Sequence, residues 1–176
     1  MFPKAHAVAY VTMAYRIAWF KVYHPLEFYA SFFGIRAEDF DAETILGGYE
    51  RIRQRIKDID KMGNAAPAKD KKLVIILELA MEMYARGYSF APVDIYKSDA
   101  RKFIVEDKSL ILPFSALPNV GSAAAQGIVE ARREGPFVSV EEFQVRTRLN
   151  KSAMELLRKE NCFQGLPEKS QISLFG

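Results

Sequence analysis

Residues 117–125 read Leu-Pro-Asn-Val-Gly-Ser-Ala-Ala-Ala, a succession that leaves the backbone few options. Pro118 fixes φ and has no N–H, so a helix built on Pro113, Phe114 and Leu117 must end there. Asn119 tolerates a left-handed conformation, Val120 anchors the turn with its side chain inward, and Gly121 has no Cβ to hold an approaching backbone away. Ser122 is expected to cap the next helix, which runs through Ala123 and carries Ile128 and Val129 on its apolar stripe towards Arg132 and Arg133. The expectation is a short helix, a tight turn and a second helix that opens towards the outside. Its first N–H groups lack intrahelical partners and lie at the positive end of the helix, where an anion is stabilised by about 0.3–1 kcal/mol from the dipole alone. The amides of 120–123 are the expected donors. The same residues also suit an ordinary corner between two helices, with no ligand.

The rest of the composition bounds this reading. A length of 176 residues suits one domain or two small ones, and a hydrophobic content of 49% excludes general disorder. The net charge of +3 permits a polyanionic partner without requiring one. Cys162 stands alone, so there is no disulfide framework; His6 and His24 are the only histidines, so no zinc-ligand cluster and no metal site are expected. No signal peptide is recognisable. The apolar stretch 5–22 is interrupted by Arg16 and Lys21, which predicts a buried amphipathic helix rather than a membrane span, and a cytoplasmic location.

The chain changes character along its length. Its first third opens with a dense run of aromatic residues up to Phe33. Pro3 is expected in the first turn of a helix whose Val8, Val11, Tyr15, Ala18, Trp19 and Val22 share one face, and Pro25 starts the next helix. Tyr10 and Tyr15 are expected to pack in the core. A second helical pair is predicted over 41–61 and 69–86, joined by a loop containing Gly63, Asn64 and Pro67. Within 51–72 eight basic residues face three acidic ones, which fits a solvated helix face and a backbone-contacting patch equally. After Gly87, the β-branched and aromatic runs 93–96, 103–105 and 110–112 predict a small antiparallel sheet. A helix over 138–148 has Ser139 as its cap with Glu142 three residues on, and another is predicted over 150–162. The stretch from Leu149 to Ala153 faintly echoes 120–123.

The last segment is polar around Gly165 and Pro167 yet ends in Gln171, Ile172, Ser173, Leu174 and Phe175. That pattern describes a tether with an apolar tip. Gln171 offers paired amide hydrogen bonds, and Leu174 and Phe175 can each contribute about 1.5–3 kcal/mol if buried in a partner's pocket. A tail folded back on its own core is the other reading.

These motifs match known patterns. The turn at 118–123 resembles the helix-hairpin-helix, in which Gly-apolar-Gly followed by a downstream Ala grips one strand of a duplex without reading bases; Asn119 stands where the first Gly is usual. The tail is similar to the bacterial sliding-clamp-binding motif, Gln-aliphatic-Ser/Asp-Leu-Phe. Taken with FPKAHAVAYV at 2–11, LILPFSALPNVG at 110–121, LNKSAMELL at 149–157 and GLPEKSQISLF at 165–175, the chain resembles the C-terminal end of a bacterial replicative DNA polymerase III alpha subunit of PolC type.

The resemblance implies a mainly α chain: a helical fingers-like region at 1–90, a β element plus helix-hairpin-helix duplex-binding domain at 91–163, and a clamp-binding tail at 164–176. It implies DNA contacts by Pro118, Asn119, Val120, Gly121, Ser122, Ala123, Arg132 and Arg133, a nucleotide-proximal place for Lys4 and His6, and clamp contacts by Gln171, Ile172, Ser173, Leu174 and Phe175. Lys4 and His6 suit a solvent-facing helix end equally well, and any exposed aromatic residues within 1–33 would mark a surface that the missing palm covers. The partners implied are double-stranded or primer-template DNA, the sliding clamp and the remaining polymerase domains, in a nucleoid-associated setting. Nucleotidyl transfer in that family uses palm carboxylates and two Mg²⁺, with proofreading 3′–5′ exonuclease and PHP domains elsewhere, so this fragment is expected to be inactive alone and to hold no catalytic residue or cofactor. A separate nonspecific DNA-binding or repair accessory protein, or a helical interaction module without nucleic acid, would use the same features.

Overall fold

The computed structural model describes residues 3–169; the tail motif Gln171 to Phe175 lies outside them. Two helices open the chain, α1 (Lys4–Tyr23) and α2 (Pro25–Ile35), separated at His24 because Pro25 cannot continue α1 and is preset for the first turn of α2. Pro3 precedes α1 in extended geometry instead of entering its first turn. The expectation of a buried amphipathic α1 fails: the helix buries no residue. Its apolar side chains surround the axis rather than forming one stripe, so packing its C-terminal part on α2 leaves the remainder uncovered. Tyr10 and Tyr15 are accordingly 66% and 74% exposed and do not belong to the core.

α2 has the stripe that α1 lacks, burying Leu26, Tyr29 and Phe33 at helical spacing. A polar knot ties it to α1. The Tyr29 hydroxyl donates to Glu82 (2.9 Å), Lys21 pairs with Glu82 (2.7 Å), and Arg86 donates to the Tyr29 oxygen and the Lys21 carbonyl (both 3.1 Å). Desolvation alone would raise the Glu82 carboxyl, but the hydrogen bonds from Lys21 and Tyr29 hold it below its usual range.

The predicted helix over 41–61 is two helices, α3 (Ala42–Leu46) and α4 (Tyr49–Met62), because the chain turns at Gly47 and Gly48, the latter at φ 84°. Asp41 caps α3 by accepting the Thr44 amide (3.1 Å). α4 packs along α5 (Ala68–Ala85), setting Ile52 and Ile59 against the row Leu73, Ile76, Leu77, Ala80 and Met83. Much of the basic run is paired here: Arg51 with Glu43, Arg53 with Glu50, and Arg55 with Asp70. A solvated, locally neutralised helix face is therefore the better description of 51–61.

Three short strands follow, β1 (Ser89–Ala91), β2 (Ile104–Glu106) and β3 (Ser109–Ile111), in the order β1-β3-β2. β2 and β3 pair antiparallel, as expected, but β1 pairs parallel to β3. The expected strand at 93–96 is absent because the Asp94 carboxylate accepts the amides of Tyr96 (2.7 Å) and Lys97 (3.0 Å), curling the chain into a turn. β1 supplies Phe90 to a cluster with Phe33, Phe40 and Phe103, whose ring centroids lie 5.0–6.3 Å apart.

The last third comprises α6 (Ser122–Arg133), α7 (Val140–Thr147) and α8 (Lys151–Lys159), preceded by one 3₁₀ turn at Phe114–Ala116 where a longer helix is expected. Phe114, Ile128, Phe143 and Leu157 are fully buried among these elements, and the apolar core is continuous from Leu26 to Phe163. The molecule is mainly helical with a small β element, as the sequence implies. No helix among the described residues is long and apolar enough to cross a membrane.

Candidate nucleic-acid interface

The turn before α6 has the shape its residues dictate. Asn119 sits at φ 65°, Val120 is 4% exposed with its side chain in the core, and Gly121 is extended (φ −67°, ψ 161°). Gly121, not Ser122, occupies the cap position; Ser122 is already the first helical residue, and no side chain among the described residues caps this end. The first intrahelical bond is from Ala125 N–H to the Gly121 carbonyl (2.9 Å). The Val120 amide donates to the Leu117 carbonyl (3.3 Å) and is occupied. The open donors are thus the amides of 121–124, one residue later than the sequence predicts, and none has an acceptor among the described residues. Pro118, Asn119 and Gly121 to Ala123 are all exposed around them. A Cβ added at Gly121 would meet nothing within 4 Å, so the fold does not need glycine there.

The faint echo at 149–153 is a geometric repeat. Arg148 is left-handed (φ 55°) where Asn119 is, Leu149 is 5% exposed where Val120 is buried, and Asn150 is extended (φ −71°, ψ 163°) where Gly121 is. α8 then begins with Lys151 and Ser152. Asn150 accepts the Ala153 amide (2.8 Å), leaving those of Lys151 and Ser152 open. Composition hid the repeat, since arginine and asparagine replace asparagine and glycine; the shared signal is one buried aliphatic residue placed just before an extended cap.

α7 is the contrast. Ser139 accepts the Glu142 amide (3.1 Å), as the expected capping box has it, while Glu142 reaches back to the amide of Val138 (2.7 Å), one residue before the cap, instead of to that of Ser139. The carbonyls of Pro167 and Glu168 take the amides of Val140 (2.9 Å) and Glu141 (3.1 Å), and Glu168 is fixed in turn by Arg158 (2.8 Å to Nη2). This helix start is saturated; those of α6 and α8 are not.

The arginines divide by orientation. Arg132 turns inward and donates to the carbonyls of Ser98 (2.6 Å) and Ile95 (3.4 Å), binding α6 to the 94–98 turn. It is a brace rather than the surface cation the sequence suggests. Arg133 is exposed and in no ion pair among the described residues, as are Arg148 and Lys151 beside the second turn. Arg146, absent from the sequence-based site, is the hub of the module: it donates to the carbonyls of Ala131 and Gly135, pairs with Glu142 (3.3 Å) and lies 4.5 Å from the centre of the Phe137 ring.

Comparison with known proteins agrees with this geometry. A family model described as helix-hairpin-helix motif matches residues 87–172. Proteins called DNA polymerase III PolC-type are about half identical along nearly the whole chain: 50% over 175 residues in Caldanaerobacter subterraneus subsp. tengcongensis, 50% over 175 in Bacillus subtilis, and 49% over 178 in Thermotoga maritima, each covering 99% of this chain. The chain is homologous to a segment of PolC-type DNA polymerase III. It spans 12% of the length of the first two relatives and 13% of the third. Outside the hairpin module, Lys4 and His6 stand in the first turn of α1, where the His6 ring meets Tyr10 edge-on at 4.5 Å. Among the described residues no three His, Cys, Asp or Glu side chains are placed to hold a metal ion. Burial pushes the Cys162 thiol up to about 12, with Glu160 and Asp94 adding to it, which leaves it protonated and unreactive at neutral pH.

Proposed function

We propose that this chain is the duplex-holding part of a PolC-type replicative polymerase, and that it grips DNA through backbone phosphates presented to the open amides of 121–124 and of 151–152. The observation that carries this reading is the difference between the helix starts of one module. α7 is closed by side chains and carbonyls, whereas α6 and α8 begin at the surface with donors unspent, small side chains around them and the cations Arg133, Arg148 and Lys151 free. Such a grip reads no bases, so binding is independent of sequence and falls with salt, by about 0.9 in log–log slope per phosphate neutralised. By the resemblance, residues 1–90 belong to the fingers, Lys4 and His6 approach the incoming nucleotide, and nucleotidyl transfer with its Mg²⁺ is assigned to the remainder of a longer polymerase.

The tail Gln171 to Phe175 is the ligand of a sliding clamp on this reading, holding the polymerase to DNA independently of the hairpins. Two assays on the full chain test it. A labelled duplex titrated at several salt concentrations must bind irrespective of sequence, and absence of binding at low salt removes the hairpins from any DNA interface. Leu174→Ala with Phe175→Ala must abolish capture on an immobilised clamp while leaving duplex affinity within about twofold; capture that persists shows the tail to be misassigned.

A further inference from the structure

α1 is tied to the rest of the fold near its C-terminal end. The helix runs 20 residues and packs on α2; at 1.5 Å per residue, Lys4 in its first turn stands about 25 Å from Lys21. Lys21 carries the tie twice. Pro25 has no N–H, so the Lys21 carbonyl lacks the partner that the fourth residue on would have supplied, and Arg86 donates to it instead (3.1 Å). The Lys21 ammonium reaches the same helix, α5, through Glu82 (2.7 Å).

Glu82 is the shared acceptor of this knot. Lys21 bonds its Oε2 and the Tyr29 hydroxyl its Oε1, while Arg86, one turn further along α5, lies 3.8 Å from the carboxylate and donates to the Tyr29 oxygen. Tyr29 is fully buried and the other three side chains are about a third exposed, so the network is partly withdrawn from water, where charge-assisted bonds resist distortion. α5 itself is fixed along α4. We propose that Glu82 is a positioning residue: it sets the direction of α1 against α5, so that Lys4 and His6 at the far end are held at the incoming nucleotide. The proposal rests on the fingers reading given above and adds to it the residue that aims the helix. Leverage makes the aim critical. A tilt of about 5° at the knot carries the first turn about 2 Å sideways, and a misplacement of about 1 Å at a reacting site costs up to about 100-fold in rate.

Steady-state kinetics of the longer polymerase carrying this segment test it. Glu82→Gln is expected to raise KM for the incoming nucleotide roughly tenfold or more while duplex affinity stays within about twofold. Lys21→Gln, which cuts the tie from the half-exposed side, must do the same, and Lys21→Arg, which keeps the pair, must recover most of the loss. The deciding measurement is a double-mutant cycle. With Lys4→Ala and His6→Ala already in place, Glu82→Gln should change KM no further, because a residue that acts by aiming those two has nothing left to aim. Effects that multiply instead show an independent structural role and overturn the proposal. An unchanged KM in Glu82→Gln, with a raised one in Lys4→Ala and His6→Ala, overturns the proposal alone and leaves the fingers reading standing. An unchanged KM in Lys4→Ala and His6→Ala overturns both. Urea unfolding of this chain with each change verifies that the variants fold.

Discussion

Replacing Gly121 by valine separates what the fold needs from what a ligand needs. Gly121 has the extended geometry any residue adopts, and the space in front of its Cα is empty, so the folded chain accommodates the side chain at the cost of a weaker N-cap, about 1 kcal/mol or less. A bound strand does not. The branched carbons stand over the amides of 121–124, where a phosphate would accept two N–H groups. Charge-assisted hydrogen bonds of that kind contribute about 1.5–3 kcal/mol each, so displacing one phosphate costs about 2–4 kcal/mol once partial relaxation is allowed, or upwards of thirtyfold in affinity. Fluorescence anisotropy with a short labelled duplex at low salt gives the affinity, and urea unfolding gives the stability. Equal affinity with an unchanged unfolding midpoint would refute the reasoning, because it would put the open amides outside the interface. A midpoint lowered by much more than the cap's share of about 1 kcal/mol would refute it differently, by showing that the empty space is needed for folding.

Other outcomes follow from the same packing. Arg133→Gln should reduce the salt slope of duplex binding by about 0.9 without altering stability, whereas Arg132→Gln should lower stability by about 1–3 kcal/mol because the Ser98 and Ile95 carbonyls lose their donor; salt titration and urea unfolding distinguish the two. Arg146→Ala should cost about 3 kcal/mol or more, since it strips donors from several partly buried carbonyls at once, and an unfolding midpoint within error of the parent would contradict that. The Glu82 carboxyl is lowered on folding, so its contribution is complete above its unfolded value of about 4.3 and disappears as pH falls through the lower folded value. Glu82→Gln should therefore flatten part of the acid limb of stability measured between neutral pH and that window.

How much of this was legible in the sequence depended on whether the signal was local. Pro118, Asn119, Val120 and Gly121 state their backbone conformations through their own chemistry, and Ser139 with Glu142 states a cap; both were readable because nothing distant competes. The break at Gly47 and Gly48 was missed although the residues are plain, because the helical pattern on either side continued in phase. The strand expected at 93–96 failed because the Asp94 carboxylate claims two backbone amides that pairing would have used, and the parallel β1 was hidden because a three-residue strand has too little alternation to register. Arg132 and Arg133 are indistinguishable in sequence; only the carbonyls of Ser98 and Ile95, brought in by a turn some thirty residues away, turn one of them inward. The exposure of α1 was legible only as an alternative: an apolar helix reads as buried in its own core or as a surface that further polymerase domains cover, and the sequence does not say which.

Residues 167–168 are stitched to the first amides of α7, while the Arg148 turn lies at its other end, about 12 Å along the axis for eight residues. Traction on anything attached beyond residue 169 therefore falls first on two main-chain hydrogen bonds and the Arg158–Glu168 pair. On the proposed reading these bonds would act as a mechanical fuse, fraying under a pull before strain travels down α7 to the turns proposed to hold DNA.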